Sequence, residues 1–246
     1  MKHLKLFTIA GLPLMWSLYF LFELISGRVT DYETVLGNLF LIILFTITGF
    51  VIYTFSLNHS KGISHKILFL SILIIIEQGI KIAIKFFFFH ENFDLIPNIL
   101  SFHPIINTDG SWLNARFGTS VSFPLLIISN IIFLFFIVEL FRYLLSKGNE
   151  TFWSDMSFLF LFSGALCSLV DKVFYGGSLD FIGISNLFIA DIKDIYINLG
   201  LYFFLLGSYS SGYLTSDESS SFKDDIKYIK NFFLFIKNDF ISLIKK

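Results

Sequence analysis

Residues 163–200 read SGALCSLVDKVFYGGSLDFIGISNLFIADIKDIYINLG, and the fold is decided there. An apolar run from Ser163 to Val170 ends on Asp171 and Lys172, and Asp180, Asp191, Lys193 and Asp194 follow before Gly200. One ionisable group at the centre of a membrane helix costs about 2.5–3.5 kcal/mol on insertion scales. A cluster of them beside apolar helices needs a function to retain it, and paired carboxylates point to acid–base chemistry.

The surroundings of this stretch are those of a membrane protein. The chain has 246 residues, of which 55% are hydrophobic and 15% charged, with 34 phenylalanines. Its mean hydropathy is +0.75. A soluble domain of this length is far more polar. A bilayer core of about 30 Å takes about 20 apolar residues per helix. Stretches of that kind predict six spans, at 5–26, 36–57, 67–89, 119–145, 152–174 and 193–214. The first follows Lys2 and Lys5 and runs on without a small-residue cleavage site, so it reads as a retained anchor.

Charge placement predicts orientation. Lys61, Lys66, Arg142, Lys147 and a lysine-rich tail fall at one end of the spans, which puts both termini in the cytoplasm under the positive-inside bias. Lys81, the loop 90–118, Asp171 and Asp194 then gather at the outer face. That loop, with Pro97, Pro104 and Asn107, has room for short strands, and its Trp112 suits an interfacial anchor. In the tail, Phe222, Ile226, Ile229, Phe233, Ile236, Phe240 and Ile244 recur at helical steps with lysines between them. This amphipathic helix belongs either on the cytoplasmic leaflet or against the protein itself. The expected class is an all-α polytopic membrane protein with a small outer-face loop or β region.

Other chemistry has no signature. The lone Cys167 lies in an apolar run and reads as core. His3, His59, His65, His90 and His103 are scattered without metal-ligand spacing, so no metal or cofactor is expected. There is no glycine-rich phosphate loop, and no nucleic-acid partner is expected. Membrane lipid is the expected surrounding, and oligomeric state is left open.

Taken in order, the polar residues form a pattern. Glu77 and Lys81 share one helix face. Asn107-Thr-Asp-Gly110 follows, then Gly164-Ala165 with Ser168 and Asp171-Lys172, then Gly176 and Asp180-Phe181, and last Asp191-Ile-Lys193-Asp194 with Ile197 and Gly200. Five such elements in order resemble the lipoprotein signal peptidases, signal peptidase II, over residues 67–214. Residues 1–66 and 215–246 lie outside the resemblance. It implies a bacterial inner-membrane aspartyl endopeptidase that cuts a diacylglyceryl-modified prolipoprotein just before its lipidated cysteine.

The resemblance also implies roles. Ala190-Asp191 mimics the family's Ala-Asp pair, but registering it there loses Ile197 and Gly200. Asp194 therefore takes the second catalytic position and Asp191 stands where the family has Asn. Asp171 and Asp194 are the implied dyad. Asn107, Glu77, Lys81, Ser168, Lys172 and Asp191 are implied to contact or position substrate, while Lys172 and Asp180 also read as local structural partners. Glu77 for Asp, Ser168 for Asn, Lys172 for Arg and Lys193 for Ala depart from the family pattern. Two other readings remain: a non-catalytic homologue that binds acylated chains, and a small transporter, since intramembrane acids also mark ion pathways.

Overall fold

A computed structural model describes residues 2–58, 63–109, 114, 121–185, 187–212 and 222–244. The helices among them are α1 (Lys2–Ile25), α2 (Tyr32–Ser56), α3 (Ile63–Ala83), α4 (Phe123–Ser146), α5 (Phe152–Val170), α6 (Ile192–Ser210) and α7 (Phe222–Ile244). The strands are β1 (Phe93–Ile96) and β2 (Leu100–Asn107), between α3 and α4, and β3 (Ser178–Ile184) and β4 (Phe188–Ala190), between α5 and α6. A π-helical turn extends α3 over Ile84–Phe88 and another extends α5 over Asp171–Tyr175. Gly176, at φ +64°, ends the second in a left-handed conformation that favours glycine.

The first five helices, with their extensions, are long and apolar enough to cross a membrane. Their outward Leu, Ile and Phe side chains are exposed, as a lipid-facing surface requires. The predicted sixth span appears as α6, 19 residues long. It matches α5 in length but falls outside those five, and it opens on Lys193 and Asp194.

Small residues bring the helices together. A Cβ on Gly164 would meet Ile197 Cγ1 at 2.7 Å and Lys193 O at 3.1 Å, and one on Gly200 would meet Leu161 N at 2.8 Å. Close backbone approach of this kind is how membrane helices pack without a hydrophobic driving force. It fixes the start of α6 against the end of α5. Leu12 of α1 packs with Trp153, Tyr202, Phe203 and Leu206, so the first helix shares a core with α5 and α6. Tyr202 Oη donates to Thr8 O, which binds α6 to α1.

The strands pair antiparallel in the order β1-β2-β3-β4. The loop 90–118 supplies half of this sheet; the other half comes from 178–190, a stretch too short and mixed to announce strands by its pattern. Pro104 lies where the β2–β3 register shifts between Phe102 and Ile105. A residue with no N–H is tolerated inside a sheet at such a bulge. Trp112 lies outside the described residues. The tail helix packs on the protein: Arg142 donates to Asp239 at 2.6 Å, and Phe232 and Phe235 meet Tyr143 edge-on. Ile226, Ile229 and Phe240 stay exposed on its other side.

Candidate active site

Glu77 and Lys81 point from one face of α3 toward the end of α5, where Asp171 begins the π-helical turn. Lys81 Nζ lies 2.6 Å from Glu77 Oε1, from Asp171 Oδ2 and from Asp191 Oδ2. All four side chains are buried, with Glu77 and Asp191 at 0% exposure, Asp171 at 1% and Lys81 at 5%. Lys193 adds a second ammonium, in contact with Asp191 and 3.3 Å from Asp171 Oδ2. Buried charges persist only when paired in this way. The Ser178 hydroxyl accepts from Lys193 at 2.6 Å and lies 3.1 Å from Asp171 Oδ2 and 2.9 Å from Asp191 Oδ2.

Asp191 is also the N-cap of α6. Its carboxylate accepts from Asp194 N at 3.2 Å, and Asp194 Oδ2 accepts from Asp191 N at 3.3 Å, a reciprocal capping box. The box holds Asp194 in the first helical turn at the sheet edge. Carboxylate oxygens of Asp180, Asp191 and Asp194 lie within 4.8 Å of one another, as do those of Glu77, Asp171 and Asp191. Asp191 therefore links two acidic groups. Lys81 sits in the first, where its ammonium takes the place of a bound cation. In the second, Asp180 accepts from Asn107 Nδ2 at 2.8 Å, and Lys193 is 3.9 Å away.

The environment separates the acids outside the spanning segments. Burial pushes Asp191 up, but Lys193 and Lys81 overcome it and hold this carboxyl below its usual range. Burial raises Asp180 above the usual range; Lys193 pulls back, the charge of Asp191 adds to the rise, and hydrogen bonds from Ser178 and Asn107 lower it again. Asp194 is partly exposed, whereas Asp171, Asp180 and Asp191 are buried.

The residues singled out by the sequence are brought together unevenly. Glu77, Lys81, Asp171 and Asp191 form one bridged unit. Asp194 belongs to the second group, and Asn107 borders it. Ser168 and Lys172 bond each other on α5 and its extension. Sequence reasoning gives no chemical role to Asp180, Ser178 or Lys193, yet all three enter the cluster. Asp180 has a usable signal: a single acid in an apolar strand, preceding Phe181, with Asn107 on the neighbouring strand.

The fold has known counterparts. The family model described as Signal peptidase (SPase) II matches residues 68–210. The chain belongs to the signal peptidase II family. A bacterial membrane enzyme solved by the in meso method at 2.3 Å is similar in fold, with TM-score 0.51 and 24% identity over 65% of this chain and 94% of its own. A second such structure, at 1.9 Å, gives TM-score 0.51 and 23% identity over 63% of this chain and 95% of its own. No curated protein matches the chain. As a signal peptidase II it is a membrane hydrolase of the class that cleaves lipoprotein signal peptides, with the multi-pass architecture of a bacterial inner-membrane protein. The family match leaves residues 1–67 and 211–246 outside it.

Proposed function

We propose that this signal peptidase II cleaves diacylglyceryl-modified prolipoproteins before the lipidated cysteine by an aspartyl mechanism, and that Asp180 and Asp194 carry the chemistry. The observation behind this choice is the uneven supply of cations. Asp171 and Asp191 each contact lysine ammonium groups within 3.5 Å. Asp180 has its nearest ammonium at 3.9 Å and a carboxyl raised by burial. Asp194, adjacent to it, is the acid with partial exposure. Two carboxyls in one site with no ammonium in direct contact hold one proton between them, and they titrate as a pair. The ionised member takes a proton from water as it attacks the scissile carbonyl. The protonated member hydrogen-bonds the carbonyl oxygen and then gives its proton to the leaving nitrogen.

In this reading Asp171 anchors the site through Lys81 and Lys193 rather than reacting. Asn107 orients Asp180, and Glu77, Lys81, Asp191, Ser168 and Lys172 shape the surroundings. Both termini are cytoplasmic and the sheet lies at the outer leaflet, where an acylated substrate can enter sideways from lipid. The test is cleavage of a diacylated prolipoprotein by purified wild type and four variants. Asp180→Asn and Asp194→Asn should each lose about 10²–10⁴-fold in kcat while remaining folded. Asp171→Asn and Asp191→Asn should retain measurable cleavage. Intact Asp171→Asn without activity, beside active Asp180→Asn, would return the dyad to Asp171 and Asp194. Activity in every variant would end the aspartyl reading.

A further inference from the structure

The helical pair α1–α2 precedes the segment matched to the family, yet it reaches the sheet that carries Asp180 and leads to Asp194. Arg28, just after α1, has two separate acceptors. One guanidinium nitrogen lies 3.2 Å from Glu23 Oε2, a fully buried carboxylate, and the other donates to Leu187 O at 2.7 Å. Leu187 precedes β4, and the same short segment is covered by rings from α1. Phe188 meets Tyr19 edge-on at 5.6 Å and Trp16 at 6.3 Å. On the neighbouring hairpin, α2 approaches so closely that a Cβ on Gly37 would meet Ile99 Cγ1 at 2.6 Å. Ser185 N in turn donates to Ile99 O at 2.8 Å. The segment from Leu187 to Ala190 thus lies between the N-terminal pair and α6, and it leads directly into the Asp191–Asp194 capping box.

We propose that Arg28 is a positioning residue for the peptidase: tied to Glu23, it holds the Leu187 carbonyl, and through β4 it fixes where α6 starts and where Asp194 stands. The kinetic part rests on the function proposed above. Arginine suits this place because its rigid planar fork carries two separate nitrogens, one for Glu23 and one for the Leu187 carbonyl, whereas lysine brings one nitrogen on a flexible stem. Catalytic groups tolerate little displacement; an error of about 1 Å can cost about 10²-fold in rate.

The test uses the full chain in detergent micelles, with two readouts on Arg28→Ala and Arg28→Lys. Cleavage kinetics should show kcat falling by about ten- to a hundredfold in Arg28→Ala with KM near wild type, and a smaller fall in Arg28→Lys. Amide hydrogen exchange should accelerate over 187–190 while α5 and the rest of α6 keep wild-type protection. Unchanged kcat together with unchanged exchange at 187–190 overturns the proposal. A rise in KM alone overturns it as well, since that signature belongs to substrate docking. If Arg28→Ala unfolds globally, Arg28→Lys decides: local loosening supports the proposal and wild-type exchange overturns it. Should wild type itself fail to cleave the lipidated substrate, the function proposed above fails, and the exchange measurement alone decides whether Arg28 holds the segment.

Discussion

Two acidic groups share Asp191, and they differ in what neutralises them. Around Glu77, Asp171 and Asp191, Lys81 sits at 2.6 Å from all three, deep between α3 and α5. Around Asp180, Asp191 and Asp194, the nearest ammonium to Asp180 is Lys193 at 3.9 Å, and Asp194 is partly open. Five carboxyls therefore face Lys81 and Lys193 in a largely buried space, and Lys172 adds a more distant charge that acts on Asp171, Asp191 and Asp194. Burial disfavours the surplus negative charge, and the proposed function places the retained proton where cations are farthest. In the reading proposed above, the same side-chain chemistry yields an anchor in one place and a proton-sharing pair in the other.

The largest effect should come from removing the central cation. Lys81→Met leaves three buried acids without their shared partner, and breaking a buried pair in this way costs about 3–5 kcal/mol. Thermal unfolding in detergent should show a large drop in midpoint, with cleavage lost along with the fold. A Lys81→Met protein as stable as wild type would mean that the first group is not held by its lysine.

Asp171→Asn comes next. It leaves Lys81 with Glu77 and Asp191 and leaves Lys193 with Asp191. A weakened charged hydrogen bond is worth about 1.5–3 kcal/mol, so the unfolding midpoint should fall less than in Lys81→Met. Cleavage should stay well above that of Asp194→Asn. Equal inactivity in the two, with both folded, would erase the distinction between the groups.

The anchor is far more legible in the amino-acid sequence than the proton-sharing pair. Apolar length locates the helices, and the i, i+4 spacing of Glu77 and Lys81 puts them on the one helix face where they pair at 2.6 Å. The capping position of Asp191 follows from an acid placed just before an apolar periodic run. The partition of acids does not follow, because it depends on pairing across the sheet. Asn107 lies opposite Ser178 in the β2–β3 register, and that register brings its amide to Asp180. Register is a tertiary property, and neither strand states its partner. By sequence Lys193 is only a departure from the family's Ala; its reach to Asp171 and Asp180 depends on the Gly164–Ile197 approach that seats α6.

A smaller effect sharpens the role of the second group. Asn107 donates to the Asp180 carboxylate, and a bond to the charged form favours ionisation. Asn107→Ala removes that bond, so the Asp180 carboxyl, already raised by burial, should rise further. The proton of the pair is then lost at higher pH, and the alkaline limb of the kcat/KM profile should move to higher pH. A move to lower pH, or no move in an active variant, would separate Asp180 from the titrating pair.

The smallest effect is expected at Ser178, whose hydroxyl lies between Lys193, Asp171 and Asp191. Its bonds belong chiefly to the bridged group, where Lys81 and Lys193 already supply stronger charged contacts. Ser178→Ala should therefore lower stability by about 0.5–1.5 kcal/mol, the net worth of a hydrogen bond whose partners keep other contacts. Ser178 also helps lower the Asp180 carboxyl, so the alkaline limb should move in the same direction as in Asn107→Ala. Cleavage near neutral pH should stay close to wild type, because neither Asp180 nor Asp194 loses its place. A loss as deep as that of Asp194→Asn, in a folded protein, would show that the hydroxyl couples the two groups into one unit, and the division of labour between them would then fail.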